Sequence, residues 1–350
     1  MIDVNANILL IYTGGTIGMV ENVKTGTLEA FDFSHLYSHI PELQRLKFQV
    51  DTHLFESVLD SSDVGPEHWV QLVGIIEENY EKYDGFVVLH GTDAMTYTAS
   101  ALSFMIENLT KPIVFTGAQL PIGKLRTDAK ENLITAMEIA ADKDVFGKPI
   151  VPEVCIFFQN YLFRANRSTK RNADNFNAFK SYNYPYLAKS GIKIKYDRQA
   201  ILTVDFSKKT TFHYWMDTNI AVLKLFPGIG TPNIDAILNL EGVRGVIIET
   251  FGSGNAPRNP KLLEAIKSAV QRGIIVVNIT QCEIGSVVME RYETGKELLN
   301  AGVISGFDST IEAAITKLMY LIGHKYSPQE IERRMKIPIV GEITRLDESY

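Results

Sequence analysis

Ile8-Leu9-Leu10-Ile11-Tyr12-Thr13-Gly14-Gly15-Thr16-Ile17-Gly18 begins as an apolar run and breaks into a glycine pair flanked by hydroxyls. A short apolar run bounded by a turn signal reads as a strand buried on both faces, the kind found in parallel sheets. Phe86–His90, Ile113–Thr116 and Cys155–Gln159 have the same character. Between them the spacing turns helical. Pro66 suits a first helical turn, and Trp69, Leu72, Val73 and Ile76 then fall at i, i+3, i+4 and i+7. Met95, Ala99, Leu102 and Ile106 repeat that spacing, and Asp128 with Glu131 reads as a capping box opening a helix through Ile139. Strands alternating with helices predict an α/β fold with a mostly parallel sheet.

The rhythm breaks over Gly191–Thr218, a polar, β-leaning stretch that reads as a linker with an extended arm. It resumes with strands near Val222–Phe226, Val243–Thr250, Ile274–Thr280 and Val303–Phe307. Helices fit Pro232–Asn239, Pro260–Arg272, Thr310–Ile322 and Pro328–Lys336. A chain of 350 residues exceeds one ordinary core. The expected organisation is an N-terminal domain over 1–190, a linker over 191–218 and a smaller α/β domain over 219–350.

A net charge of -6 gives no electrostatic footprint for nucleic acid or an anionic membrane. Cys155 and Cys282 stand far apart, outside any CxxC spacing, which argues against a disulfide scaffold or a Cys-based zinc site. The seven histidines form no HExxH or other metal spacing, so neither a metal nor an organic cofactor is expected. No apolar run has bilayer-spanning length, and the N-terminus lacks the basic start and long apolar stretch of a secretory signal. The expectation is a cytoplasmic protein acting on a small molecule.

In an open parallel sheet, ligands bind beyond the carboxyl ends of the strands. Four segments therefore compete for chemistry. The Gly14-Gly15 turn lets the backbone approach a ligand, with Thr13 and Thr16 beside it. It is no P-loop, lacking Gly-Lys-Ser/Thr, and no dinucleotide fingerprint, since Thr13 stands where a glycine belongs and Val20–Gly26 lacks helical spacing. That polar stretch reads as a mobile loop, although a glycine pair alone more often marks a plain turn. In His90-Gly91-Thr92-Asp93 a hydroxyl and a carboxylate share a strand end. Taken alone, the better reading is that Thr92 or Asp93 caps the next helix, and that His90 is structural. Asp60-Ser61-Ser62-Asp63 suits a zwitterion, its carboxylates facing an ammonium, but suits capping equally. Lys170 in Ser168-Thr169-Lys170 is ordinarily a solvated group. Buried beside Thr92 and Asp93, it would instead move protons.

Together and in order, these segments resemble the bacterial L-asparaginase family, specifically its cytoplasmic type I branch. Ile11–Gly18 is similar to the first signature of that family and Leu89–Asp93 to the second. Met95–Phe104, Gly252-Ser253-Gly254-Asn255-Ala256-Pro257 and Val277–Cys282 extend the resemblance over nearly the whole chain. The resemblance implies two α/β domains with mostly parallel sheets, the larger N-terminal one flavodoxin-like, and hydrolysis of asparagine through an acyl-threonine. Carried over, Thr16 is the nucleophile, and Thr92, Asp93 and Lys170 form a second hydroxyl–carboxylate–amine set. Asp60, Ser61 and Ser62, with Thr92 and Asp93, bind substrate. The family is typically a homotetramer built from tight dimers, with each active site near a dimer interface, so the resemblance implies a homo-oligomer, dimer or tetramer, in which Asn255 approaches a neighbour's site.

Two positions depart from the family pattern. Ala94 replaces a usual threonine, and Thr27 stands where a tyrosine commonly assists the nucleophile, with Tyr12 and Tyr37 the other tyrosines near in sequence. Some type I members also bind asparagine at a second, activating site. That site uses an arginine before the Gly-Ser-Gly-Asn-like loop and a Thr-Gln-Cys stretch. Here Thr280, Gln281 and Cys282 are kept, but Glu249 holds the arginine's place. A glutamate would repel the effector's carboxylate where an arginine would grip it. Two rival readings share the scaffold. A glutamyl-tRNA amidotransferase subunit would bring a further N-terminal domain, and a non-catalytic amino-acid sensor has no need of both hydroxyls.

Overall fold

The computed structural model describes residues 6–21, 28–30, 40–45 and 47–344. The chain divides into two units, Met1–Tyr214 and Trp215–Tyr350. The first is built on an eight-stranded sheet of β1 (Asn7–Gly14), β2 (Gln49–Leu59), β3 (Gly85–Leu89), β4 (Ile113–Thr116), β5 (Val154–Phe158), β6 (Tyr161–Arg164), β7 (Ala188–Lys189) and β8 (Lys195–Tyr196). Its order is β8-β7-β6-β5-β4-β3-β1-β2. Strands β2, β1, β3, β4 and β5 run parallel, and β6 to β8 join antiparallel. The apolar runs form the central strands because β3, β4 and β5 are buried along their whole length. The edge strand β2 escapes sequence reading for the converse reason: most of its side chains face solvent, and only Phe55 is buried.

Helices α1 (Pro66–Asn79), α2 (Met95–Met105) and α3 (Ala129–Ala141) connect the strands. In α1 the anticipated stripe of Trp69, Leu72, Val73 and Ile76 is buried. One expectation fails in α3. Asp128 makes no capping bond to the helix. Its carboxylate accepts the main-chain N–H groups of Gln119 and Leu120 and the Asn132 amide. The local Asp-x-x-Glu pattern predicts a cap, but the loop returning from β4 presents competing donors.

Much of the 191–218 stretch folds into the first unit. Lys195–Tyr196 extends the large sheet, and Thr211–Phe212 pairs with Ile106–Glu107. A buried ion pair fastens the intervening chain: Arg164 Nε donates to Glu153 Oε2 at 2.6 Å, Arg164 Nη2 to the Ala200 carbonyl, and Leu202 N–H to Glu153 Oε1.

The second unit is a parallel four-stranded sheet, in order β9 (Ile220–Lys224), β10 (Gly245–Thr250), β11 (Ile275–Thr280) and β12 (Ile304–Ser305). Helices α4 (Thr231–Leu238), α5 (Pro260–Gln271), α6 (Glu293–Asn300), α7 (Ile311–Gly323) and α8 (Pro328–Met335) accompany it. The side chains of Asn259, Thr310 and Ser327 cap α5, α7 and α8. Helix α6 has no counterpart in the sequence pattern, since it buries only Gly295 and Leu298.

Candidate active site

The loops that leave β1, β2, β3 and β4 pack closely together, and glycines make that possible. A Cβ on Gly15, at φ 88°, would lie 2.5 Å from the Gly91 backbone. One on Gly91 would meet Ser61 Oγ at 2.6 Å, and one on Gly117 the His90 carbonyl at 2.5 Å. No larger residue fits at these contacts without displacing the neighbouring chain. The glycine packing brings the Thr16 turn, the Asp60–Asp63 turn and the His90–Asp93 loop together, at the carboxyl ends of the parallel strands.

Thr16 is half-buried and opens a single 3-10 turn, Thr16–Gly18. Beneath it, Tyr12 Oη donates to the Gly18 and Gly15 carbonyls at 3.2 and 3.4 Å. Burial pushes the Tyr12 phenol up to about 12. It therefore stays protonated at neutral pH and braces the turn, so it is unsuited to act as a base. Thr13 is held as well, its hydroxyl donating to the Leu89 carbonyl at 3.0 Å. Met19–Glu21 pairs antiparallel with Leu28–Ala30. Thr27, Tyr37 and most of the loop expected over Val20–Gly26 lie outside the described residues.

Lys170 sits on a short hairpin, Thr169–Lys170 paired with Phe179–Lys180. Its Nζ donates to Thr92 Oγ1 at 2.8 Å and to Asp93 Oδ1 at 2.5 Å. The lysine side chain is only 17% exposed, whereas Asp93 is 68% exposed. Lys170 is therefore not the solvated group that an isolated reading favours. The capping reading of Thr92 and Asp93 is also corrected: Ala94 occupies the N-cap of α2 and offers no side-chain bond. Lys170 draws both side chains away from the helix amides, a long-range contact that local pattern cannot reveal.

Ser61 is buried and accepts the Asp93 N–H at 3.2 Å. Asp60 caps the turn through its Oδ1, which accepts from Ser62 N–H and Ser62 Oγ, both at 2.9 Å. Those bonds hold its carboxyl below the usual carboxylate range. His90 is fully buried, and burial drives its pKa down to about 4. The ring is neutral, with Nδ1 donating to the Gly91 carbonyl at 2.7 Å. Its Nε2 has no hydrogen-bond partner among the described residues.

Gln119 is a member of the site that the sequence reading does not single out. Its Oε1 accepts from Thr92 Oγ1 at 3.4 Å, while Nε2 donates to the Ala173 and Asn175 carbonyls. The signal is present in Thr116-Gly117-Ala118-Gln119, another strand end followed by glycine. Among the described residues, no group of three or more His, Cys, Asp or Glu side chains is placed to hold a metal ion.

In the second unit, Glu249 lies opposite Lys224 on the neighbouring strand, with a 3.7 Å ion pair. Gln281 Nε2 donates to the Leu225 and Glu249 carbonyls at 2.6 and 2.8 Å. Thr280 Oγ1 donates to the Gly252 carbonyl and accepts the Cys282 N–H. Cys282 is exposed. Asn255 Oδ1 accepts from Thr294 Oγ1 at 3.3 Å.

Residues 7–202 match the family model described as "Asparaginase, N-terminal", and residues 219–335 the one described as "Glutaminase/Asparaginase C-terminal domain". L-asparaginase 1 of Escherichia coli is 40% identical over 340 residues, covering 97% of this chain and 98% of that protein. The L-asparaginase of Thermococcus kodakarensis is 35% identical over 288 residues, covering 82% of this chain and 84% of that one. The crystal structure of L-asparaginase I from Vibrio cholerae matches with a TM-score of 0.87 at 42% identity, covering 97% and 99%. With family models matching both halves and relatives matching from end to end, the chain belongs to the asparaginase/glutaminase family.

Proposed function

We propose that this chain hydrolyses L-asparagine to L-aspartate and ammonia, with Thr16 as nucleophile. The observation that carries the reading is the Lys170 ammonium bonded to both Thr92 and Asp93, on a loop in glycine contact with the Thr16 turn. In this reading the Thr16 hydroxyl oxygen attacks the side-chain carbonyl carbon and gives up the proton that the amide nitrogen later takes up. The carbonyl π pair moves to oxygen, where each well-placed main-chain donor contributes about 3 kcal/mol. Collapse expels the amide nitrogen, which takes up a proton and leaves as ammonia. An ester on Thr16 remains. Water, losing a proton to the Asp93 carboxylate of the Thr92–Lys170–Asp93 set, attacks the ester and releases aspartate, and that proton regenerates the Thr16 hydroxyl.

Asp60, with its ionised form favoured, is suited to the substrate ammonium, and the Ser61 and Ser62 hydroxyls with Thr92 and Asp93 complete the binding set. The same reading has the enzyme working in the cytoplasm as a homo-oligomer, a dimer or tetramer, with Asn255 near a neighbouring site. Among the described residues no helix is long and apolar enough to cross a membrane. Ammonia release from asparagine, glutamine and several other amides under one set of conditions tests the proposal. Release from asparagine supports it, and release from none of them overturns it. The ratio of the first two sets specificity, since one methylene is worth about 1–3 kcal/mol in a fitted site.

A further inference from the structure

We infer that Gln119 is a positioning residue that locks the Thr92 hydroxyl and the Lys170 hairpin into one arrangement, an inference that rests on the hydrolytic reading above. The amide orientation follows from its partners. The Ala173 and Asn175 carbonyls only accept, so Nε2 must face them, at 3.2 and 3.0 Å. Oε1 is then left to face Thr92. The Lys170 ammonium only donates, so Thr92 Oγ1 accepts from it at 2.8 Å. The Thr92 proton therefore points at Gln119 Oε1, 3.4 Å away. One lone pair of Thr92 stays directed at Lys170, which leaves the second to face a group entering the site.

The same amide ties down the element that carries Lys170. Ala173 and Asn175 are exposed residues of the turn joining Thr169–Lys170 to Phe179–Lys180. Within that turn the bonds are local, such as Arg171 N–H to the Ala178 carbonyl and Asn177 N–H to Asn175 Oδ1. Gln119 joins the turn to the Thr92 loop. Gln119 is itself anchored, because Asp128 accepts its main-chain N–H through both carboxylate oxygens at 3.1 Å. Asn132 holds Asp128 and the Gly117 carbonyl at 3.2 and 2.9 Å. The chain of support runs from α3 through Asp128 and Gln119 to Thr92 and Lys170.

Two variants test this. Gln119→Met removes the donors and the acceptor. Gln119→Glu keeps an acceptor for Thr92 but cannot donate to the hairpin. With Gln119→Met, kcat on asparagine falls about 10- to 100-fold, as expected when reacting groups are misplaced by a fraction of an ångström to an ångström. KM stays within about threefold, because the loss is expressed in the transition state. Amide hydrogen exchange over residues 171–178 speeds up by about tenfold in both variants, as local opening becomes easier. Gln119→Glu keeps more of kcat than Gln119→Met. Wild-type kcat in Gln119→Met, or a loss confined to KM, overturns the positioning role. Unchanged exchange over residues 171–178 overturns the clamp, whatever the activity. A wild-type protein that releases no ammonia from any amide overturns the hydrolytic reading instead, and the exchange measurement still judges the clamp.

Discussion

The two units place polar residues at the same topological station, the carboxyl ends of parallel strands, and use them differently. In the first unit the backbones are held together by glycine contacts, which leaves Lys170, Thr92 and Asp93 to face one another. In the second unit the polar side chains hold the backbone. Gln281 bridges two carbonyls, Thr280 closes onto Gly252, and Glu249 is paired with Lys224. Polar residues at strand ends can therefore face one another in one place and brace the backbone in the other.

The largest expected effect breaks the comparison outright. Thr16→Ala lowers ammonia release by about 10,000-fold or more, as removal of a nucleophile does, while asparagine binding by calorimetry and the folded structure persist. Near-normal turnover would leave the glycine-packed loops without their proposed chemistry. Lys170→Met follows, with a loss on the order of 1,000-fold, within the range for a lost proton-transfer group. Lys193→Met, at an exposed lysine, leaves the rate unchanged. Equal losses in the two variants would reduce Lys170 to a generic surface charge.

His90 sharpens the comparison through stability. Its folded pKa of about 4 lies below the ordinary value of 6.5. The unfolded chain therefore binds more protons between these values, and stability falls as pH drops from about 6.5 to about 4. The full effect of a shift this size is up to about 3 kcal/mol. Denaturant unfolding at several pH values should give a His90→Gln variant a flatter dependence in that window. Identical slopes would mean that the ring is not held neutral.

Smaller effects belong to the second unit. Gln281→Leu frees two carbonyls and costs about 1–2 kcal/mol of stability, with kcat unchanged, as denaturant melts beside initial rates would establish. A large fall in kcat without a stability change would contradict the brace. The smallest expected effect is at Glu249. If, as the resemblance implies, Glu249 takes the place of an effector-binding arginine, initial rates over a wide asparagine range are hyperbolic. A sigmoidal curve that Glu249→Arg leaves unaltered would show this position to be unconnected with control.

The strands buried on both faces are legible in the chain because such strands must be apolar throughout. Helices α1, α5, α7 and α8 are legible through periodicity and through Pro66, Pro260, Thr310 and Pro328 at their starts. Strand β2 and helix α6 are not, because each buries too little for a pattern to form. The site residues are legible as types at strand ends, and their mutual roles come only from resemblance.

By itself, then, the sequence determined the α/β alternation, the glycines at strand ends and the candidates Thr16, Thr92, Asp93 and Lys170. These depend on burial and on backbone conformation, properties written in neighbouring residues. Tertiary structure alone decided that Asp128 turns from its helix to hold Gln119, and that Thr92 and Asp93 turn from theirs to Lys170, 78 and 77 residues on. A hydroxyl or carboxylate bonds whichever donor reaches it, and that donor can come from any part of the chain once the backbone has closed.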